Sequence, residues 1–243
     1  MTRYRVHPAA RSYGHTIGVL MLDEPVPFIP GSVGNASSYD YPVLFYCVPG
    51  LRFDDVFAAD PACARLLVEA ARDLEARGVR GITGNCGFMV HFQRAVADSV
   101  RIPVFLSSLV QIPVIAASLG AGRKIGVIAA DERGVTPAVL AAAGAEAGRP
   151  VVVRGMRHMP AFRDFLVDMR GTVDEERVRA ETVEVAAELA ADRDVGALLL
   201  ECSELPPYAA AVQAATGLPT FDFITMIDYF HAVLSRRDFA GAY

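Results

Sequence analysis

The chain has 243 residues, 53% apolar and 21% charged, with 13 Phe, 8 Tyr and no Trp, a composition that buries a core and excludes wholesale disorder. Its 23 Lys+Arg against 28 Asp+Glu leave a net charge of -5, without the cationic surplus that general nucleic-acid binding needs. Lys124 is the sole lysine, so a Schiff-base mechanism has a single possible carrier.

No run reaches the roughly 18 apolar residues of a membrane span, and the start, MTRYRVHPAARSYGH, lacks the apolar core of a secretory signal. Residues 17–22 read as a first, β-branched strand. Pro25, Pro27, Pro30 and Gly31 then break regular structure into a loop that runs to about Asp40. A loop of that length points to function, or to a lid, rather than to a plain connection. A strand over 43–48 follows. Asp60-Pro61 supplies an N-cap and a first-turn proline for a helix whose apolar stripe is Leu67, Ala70, Ala71 and Leu74. Residues 79–83 form a third strand, 88–98 a helix, 104–106 a short buried strand and 109–119 a helix capped by Ser107-Ser108.

The second half starts at Lys124. Strands are predicted over 125–129, 151–153 and 195–200, with helices over 135–143 and 174–191; the stretch 155–172 has no clear pattern. Pro206-Pro207 opens another helix that Gly217 ends. Pro219 to Phe221 leads into a last strand, and 224–236 make a terminal helix. Alternating strands and helices imply an α/β protein with a mostly parallel sheet. The two halves share a plan without obvious sequence identity. The expected organisation is a first lobe over 1–121, completed by 219–243, and a second over 122–218.

The plan repeats an apolar strand, a cysteine loop and a helix. Gly84-Asn85-Cys86-Gly87 is the first such loop and Glu201-Cys202-Ser203-Glu204 the second. Each cysteine falls at the carboxyl end of a strand, where open α/β sheets bind ligands. A thiol at a helix N-terminus is placed for a lowered pKa. The bland alternative is a small buried cysteine packed behind a strand. Two thiols facing one substrate suit proton removal by one and return by the other, with reach to the same carbon from both sides. Asn85, Gly87, Ser107, Ser108 and Ser203 are the loop groups available to bind a carboxylate and stabilise enediolate-like charge. Glu201, Glu204 and His91 are auxiliary candidates, each also readable as a solvated or packed side chain.

Thr83-Gly84-Asn85-Cys86-Gly87-Phe88 and Glu201-Cys202-Ser203-Glu204-Leu205-Pro206 resemble the aspartate/glutamate/hydantoin racemase superfamily. The separation of the two cysteines, the early Ile17-Gly18-Val19-Leu20 strand and the late Gly217 to Asp222 segment fit the same pattern. The resemblance implies two pseudo-symmetric Rossmann-like lobes, an active site in the cleft between them, and cofactor-independent racemisation or epimerisation with Cys86 and Cys202 as acid/base residues. Gly87-Phe88 and Ser203-Glu204 depart from the glutamate-racemase branch and leave an aspartate- or hydantoin-like branch in front. The presence of both cysteines sets the chain apart from one-cysteine decarboxylases of the superfamily. Maleate-type cis–trans isomerisation by a cysteine nucleophile is the enzyme alternative; a bilobal binding protein is the non-enzyme alternative.

No metal is expected, since there is no HExxH and no compact Cys/His set. Four cysteines, Cys47, Cys63, Cys86 and Cys202, without a CxxC, suit reduced thiols and a cytoplasmic location. The expected partner is a small-molecule substrate, with neither nucleic acid nor membrane; a homo-oligomer is compatible. His158 and Tyr229 are remoter candidates for the site. Gly31 to Asn35 is open between lid, structural loop and oligomer contact.

Overall fold

Short β-branched runs between amphipathic helices leave the strands buried on both faces, and the chain meets that requirement with two all-parallel sheets. The computed structural model describes residues 3–145 and 151–241. The first lobe runs β1 (Ile17–Met21), β2 (Val43–Cys47), α1 (Phe53–Phe57), α2 (Pro61–Ala76), β3 (Gly81–Gly84), α3 (Gln93–Ala97), β4 (Val104–Phe105) and α4 (Ile112–Ser118). The second runs β5 (Lys124–Ala129), α5 (Pro137–Ala142), β6 (Val151–Gly155), α6 (Pro160–Phe162), α7 (Glu175–Ala190), β7 (Val195–Leu200), α8 (Ala209–Thr216) and β8 (Thr220–Phe221). The last helix among the described residues is α9 (Phe223–Leu234).

The strand orders are β2-β1-β3-β4 and β6-β5-β7-β8. The two halves therefore have the same topology, with β1 equivalent to β5 and β3 to β7. The equivalence exposes a repeat: Ile17-Gly18-Val19 and Asp23-Glu24 correspond to Ile125-Gly126-Val127 and Asp131-Glu132. Every residue of β1, β3 and β7 is buried, as central parallel strands require.

The caps that punctuate the sequence act as caps. Asp60 accepts from the Ala62 N–H at 2.8 Å, and Pro61 starts α2, whose stripe Leu67, Ala70, Ala71 and Leu74 is buried. In α7 the stripe Val178, Thr182, Val185 and Leu189 is buried likewise. Gly217 closes α8 in the left-handed conformation, φ 68°, which only glycine adopts freely.

The lobe exchange comes later in the chain than the sequence suggests. β8 pairs with β7 in the second sheet, and only after Phe221 does the chain return. Asp222 and Thr225 form a reciprocal capping box, and α9 then lies on the first sheet. Phe223, Met226 and Ile227 pack there with Ile17, Val19 and Phe105, and Phe230 stacks on Phe105 at 3.7 Å. Each fully buried side chain of this kind stabilises by about 1.5–3 kcal/mol, enough to hold a short helix that would not persist alone. Among the described residues no helix is long and apolar enough to cross a membrane.

Candidate functional site

The carboxyl ends of β3 and β7 face each other where the lobes meet. Asn85 and Cys86 follow β3 directly; Glu201 and Cys202 follow β7 directly. Both cysteines line one cavity, together with Asn85, Gly87, Ser203, Glu201 and Glu204. Leu22, Ala130 and Phe88 complete the floor around them. The topological repeat extends to the hydrogen bonds. The Leu22 N–H donates to Asn85 Oδ1 at 2.8 Å, and its counterpart, the Ala130 N–H, donates to Glu201 Oε2 at 3.1 Å. In both lobes, the amide just past the first strand holds the side chain that precedes the cysteine.

Chemically the two loops are unlike. Cys86 is flanked by Asn85, Gly87 and Phe88, all uncharged; Cys202 is flanked by Glu201, Ser203 and Glu204. The loops are tied by Ser203, whose Oγ donates to the Asn85 carbonyl at 2.5 Å. Gly87 is where this closeness shows, since a Cβ built there would overlap Glu201 Oε1 and crowd the Glu201 carbonyl. Any other residue after Cys86 would displace that carboxyl.

The chain after Cys86 is not the α-helix the sequence suggests. Cys86 is extended (φ -148°), a 3-10 turn follows over Gly87–Phe92, and α3 begins at Gln93. The thiol is correspondingly not the acidic one expected of a helix start. Burial pushes the Cys86 thiol up, and the Glu201 carboxyl pushes it further, against the N–H groups of Phe88 and Met89. Cys202 is pushed well above its ordinary value by burial, then by Glu201 and Glu204, with only the Glu204 N–H opposing. Desolvation outweighs the favourable backbone dipoles in both cases. Cys86 nevertheless has the better thiolate environment, with two amides to one.

Burial also raises Glu201 to about 7, against the Ala130 N–H and helped by Asp131, and Glu204 to about 7. Three carboxyls at this cavity, Glu24, Glu201 and Glu204, each keep one buried oxygen without a hydrogen-bond partner. The rest of the lining comes from Val26, Phe28, Phe53, Leu166 and Met169, and no Lys, Arg or His side chain lines the cavity among the described residues.

The inner cavity is small, about 40 Å³. It adjoins an outer cavity of about 430 Å³, with which it shares Glu24, Phe53, Ala130, Leu166 and Met169. Leu166 and Met169 come from the stretch whose sequence has no clear pattern, now resolved as α6 and a π-helical turn over Arg163–Val167. Met169 has φ 46°, a conformation that costs a non-glycine residue of order 1 kcal/mol or more.

The remaining sequence candidates lie as follows. Ser107 accepts from the Leu109 N–H at 3.2 Å and caps the turn over Ser108–Gln111. Ser108 donates to the carbonyls of Leu200 and Glu201 at 2.9 and 3.2 Å. Neither serine lines the cavity; Ser108 braces the lobe junction, and Ser107 caps its own turn. His91 is half-buried, edge-on to Phe92. His158 lies in an outer groove with Arg133 and Arg163, and Tyr229 is 66% exposed on α9. Lys124 begins β5, at the strand end away from the thiols, and pairs with Asp192 at 2.7 Å. All four cysteines are free. Gly31 to Asn35 packs on the second lobe, where the Val33 N–H donates to the Ser203 carbonyl at 3.1 Å. The cavity wall from that loop is instead Val26 and Phe28. Glu24, Phe28 and Phe53 carry no motif; the Asp23-Glu24 and Asp131-Glu132 repeat is the one signal that marked Glu24.

Comparison with known proteins bears on the same residues. A family model described as Asp/Glu/Hydantoin racemase matches residues 57–227. Dimethylsulfoniopropionate lyase 7 of Emiliania huxleyi (strain CCMP1516) is 34% identical over 231 residues, 90% of this chain and 67% of that protein. Dimethylsulfoniopropionate lyase 3 of the same strain is 33% identical over 219 residues, 86% of this chain and 57% of that protein, so the chain spans little more than half of it. Unliganded arylmalonate decarboxylase shares the fold, with a TM-score of 0.59 at 18% identity over 90% of this chain and 92% of that one. At the level of the family these matches support an enzyme of the racemase or isomerase type, with cysteines at its cavity. The chain belongs to the Asp/Glu/hydantoin racemase family.

Proposed function

We propose that the chain is a cofactor-independent lyase that removes the proton next to a carboxylate and expels a sulfonium group, with dimethylsulfoniopropionate as substrate. The observation that carries this reading is the lining of the inner cavity around the thiols: three carboxyls, three phenylalanines and no cationic side chain among the described residues. An aspartate-like substrate brings a surplus of negative charge and meets guanidinium groups only away from the thiols, at Arg52 and Arg157 of the outer cavity. A sulfonium brings a positive charge, which aromatic faces and carboxylates both favour. The similarity to dimethylsulfoniopropionate lyases over most of this chain supports the same substrate.

In this reading Cys86 is the base. Its thiolate takes the proton from the carbon beside the carboxylate; that C–H pair becomes the carbon–carbon double bond as the carbon–sulfur bond breaks. Dimethyl sulfide leaves with the electron pair of the broken carbon–sulfur bond, acrylate remains, and the proton passes from the thiol to solvent. The N–H groups of Gly87 and Ser203, next to the two thiols, hold the substrate carboxylate and the charge that grows on it. Cys202 and its carboxyls form the opposite wall. Burial and neighbouring carboxyls keep both thiols protonated in the free protein, and a bound cation offsets the part of that effect due to charge. Elimination needs one base and runs in one direction, which suits two loops of unlike charge.

A racemase or epimerase of a small carboxylate is the second reading. It is supported by thiols from two lobes lining one cavity, the arrangement that proton exchange on both faces of a carbon demands.

Incubation of the full chain with dimethylsulfoniopropionate, followed by headspace gas chromatography, separates the two. Release of dimethyl sulfide with matching acrylate is expected. No release by folded protein, together with α-deuterium incorporation into chiral carboxylates in D₂O, would overturn the lyase reading in favour of the racemase.

A further inference from the structure

Glu24 occupies a position that the thiol chemistry leaves unused. It lies just past β1, three residues beyond Met21, and its side chain is 6% exposed. One oxygen, Oε1, is engaged: it accepts from the Phe53 N–H at 3.1 Å and forms an ion pair with Arg52 Nε at 3.1 Å. The other, Oε2, is buried without a partner. Leaving a buried carboxylate oxygen unmet is costly, and the cost is relieved when a charge of opposite sign arrives. Glu201 and Glu204 line only the inner cavity, whereas Glu24 lines the inner and the outer one. It therefore stands on the way from solvent to the thiols, with the Phe53 ring beside it.

We propose that Glu24 is the specificity-determining residue of the site, the anionic seat for the onium end of a small zwitterionic carboxylate. The identity of that onium as a sulfonium rests on the lyase reading; the seat itself rests on the geometry. Phe28 and Phe53 contribute ring faces to the same cation. Arg52, 54% exposed, holds Oε1 and so turns Oε2 toward its role. Its own charge competes with the ligand's, so its removal strengthens onium binding.

The test measures binding rather than turnover, by calorimetry on the full chain. The probes are 3-(trimethylammonio)propanoate and 4,4-dimethylpentanoate, the isostere in which a neutral tert-butyl group replaces the trimethylammonium. The wild-type protein is expected to prefer the onium by about tenfold or more, as one desolvated charge contact implies. In E24Q the preference falls to within about threefold of parity while affinity for the tert-butyl probe does not fall. In R52A, in which the Phe53 N–H still holds Oε1, the preference grows. An E24Q protein with native circular dichroism that keeps the wild-type preference overturns the assignment, as does a wild-type protein that binds neither probe or prefers the tert-butyl one. Should E24Q not fold, a lost preference in R52A overturns it equally. Dimethyl sulfide release from the same preparations is scored separately. Its absence beside an intact onium preference sinks the lyase reading and leaves Glu24 standing; its presence beside an unchanged preference in E24Q does the reverse.

Discussion

Ser203 donates its hydroxyl proton to the carbonyl of Asn85 at 2.5 Å, a bond between residues 118 apart in sequence that joins the two cysteine loops. Ser203 directly follows Cys202, and Asn85 directly precedes Cys86. Whatever separation the thiols keep is set in part by this one contact. Ser203→Ala leaves a buried acceptor unpaired, so the expected loss is about 1–3 kcal/mol of stability. Urea unfolding of the variant checks it; an unchanged midpoint would show that the bond contributes nothing.

The unlike charge around the two thiols predicts an unequal response to their removal. Cys86→Ala is expected to lower dimethyl sulfide release by about 10³-fold or more, as loss of a general base does. Cys202→Ala is expected to cost about tenfold, through packing and positioning rather than proton transfer. Equal losses in both variants would favour the racemase reading, in which each thiol is indispensable.

Gly87→Ala tests how tightly the loops approach. Its methyl group meets Glu201 Oε1, and Glu201 is anchored through Oε2 to the Ala130 N–H. Relief requires a shift of one loop, at a cost of about 1–3 kcal/mol. The variant should stay folded by circular dichroism yet lose most of its activity. A fully active variant would mean that the carboxyl is free to move.

Stability should depend on pH through the two buried carboxyls. Glu201 and Glu204 titrate at about 7 in the folded protein against 4.5 as the ordinary value. Between those values the folded state binds more protons than the unfolded state, so unfolding becomes easier as pH rises from 4.5 to 7. The loss is on the order of 3 kcal/mol for each group. Thermal melts across that window should show a falling midpoint, and E201Q or E204Q should flatten the slope. A midpoint that climbs over the same window in the wild-type protein would contradict this assignment.

Much of the scaffold was legible because its signals are local. Asp60-Pro61 and the Leu67 to Leu74 stripe marked α2, and Val178 to Leu189 marked α7, since capping and a 3.6-residue period are properties of neighbouring residues. The alternation of strand and helix implied parallel sheets, and the two cysteine loops stood out by composition. The segment after Cys86 was misleading for a related reason. Its apolar residues suit a helix, but Gly87 to Val90 are wholly buried, and packing between lobes imposes a tighter 3-10 turn.

By itself, the sequence determined that this chain forms two like α/β halves, each with a thiol at the end of a strand, because strand and helix patterns and loop composition are written in adjacent residues. Only the tertiary structure decided that Glu24, Phe28, Phe53 and Met169 meet those thiols, and that the thiols are poor acids. Both depend on how far the lobes close: closure joins residues distant in the chain, removes water from Cys86, Cys202, Glu201 and Glu204, and lets desolvation outweigh the dipoles that a strand-to-turn junction offers.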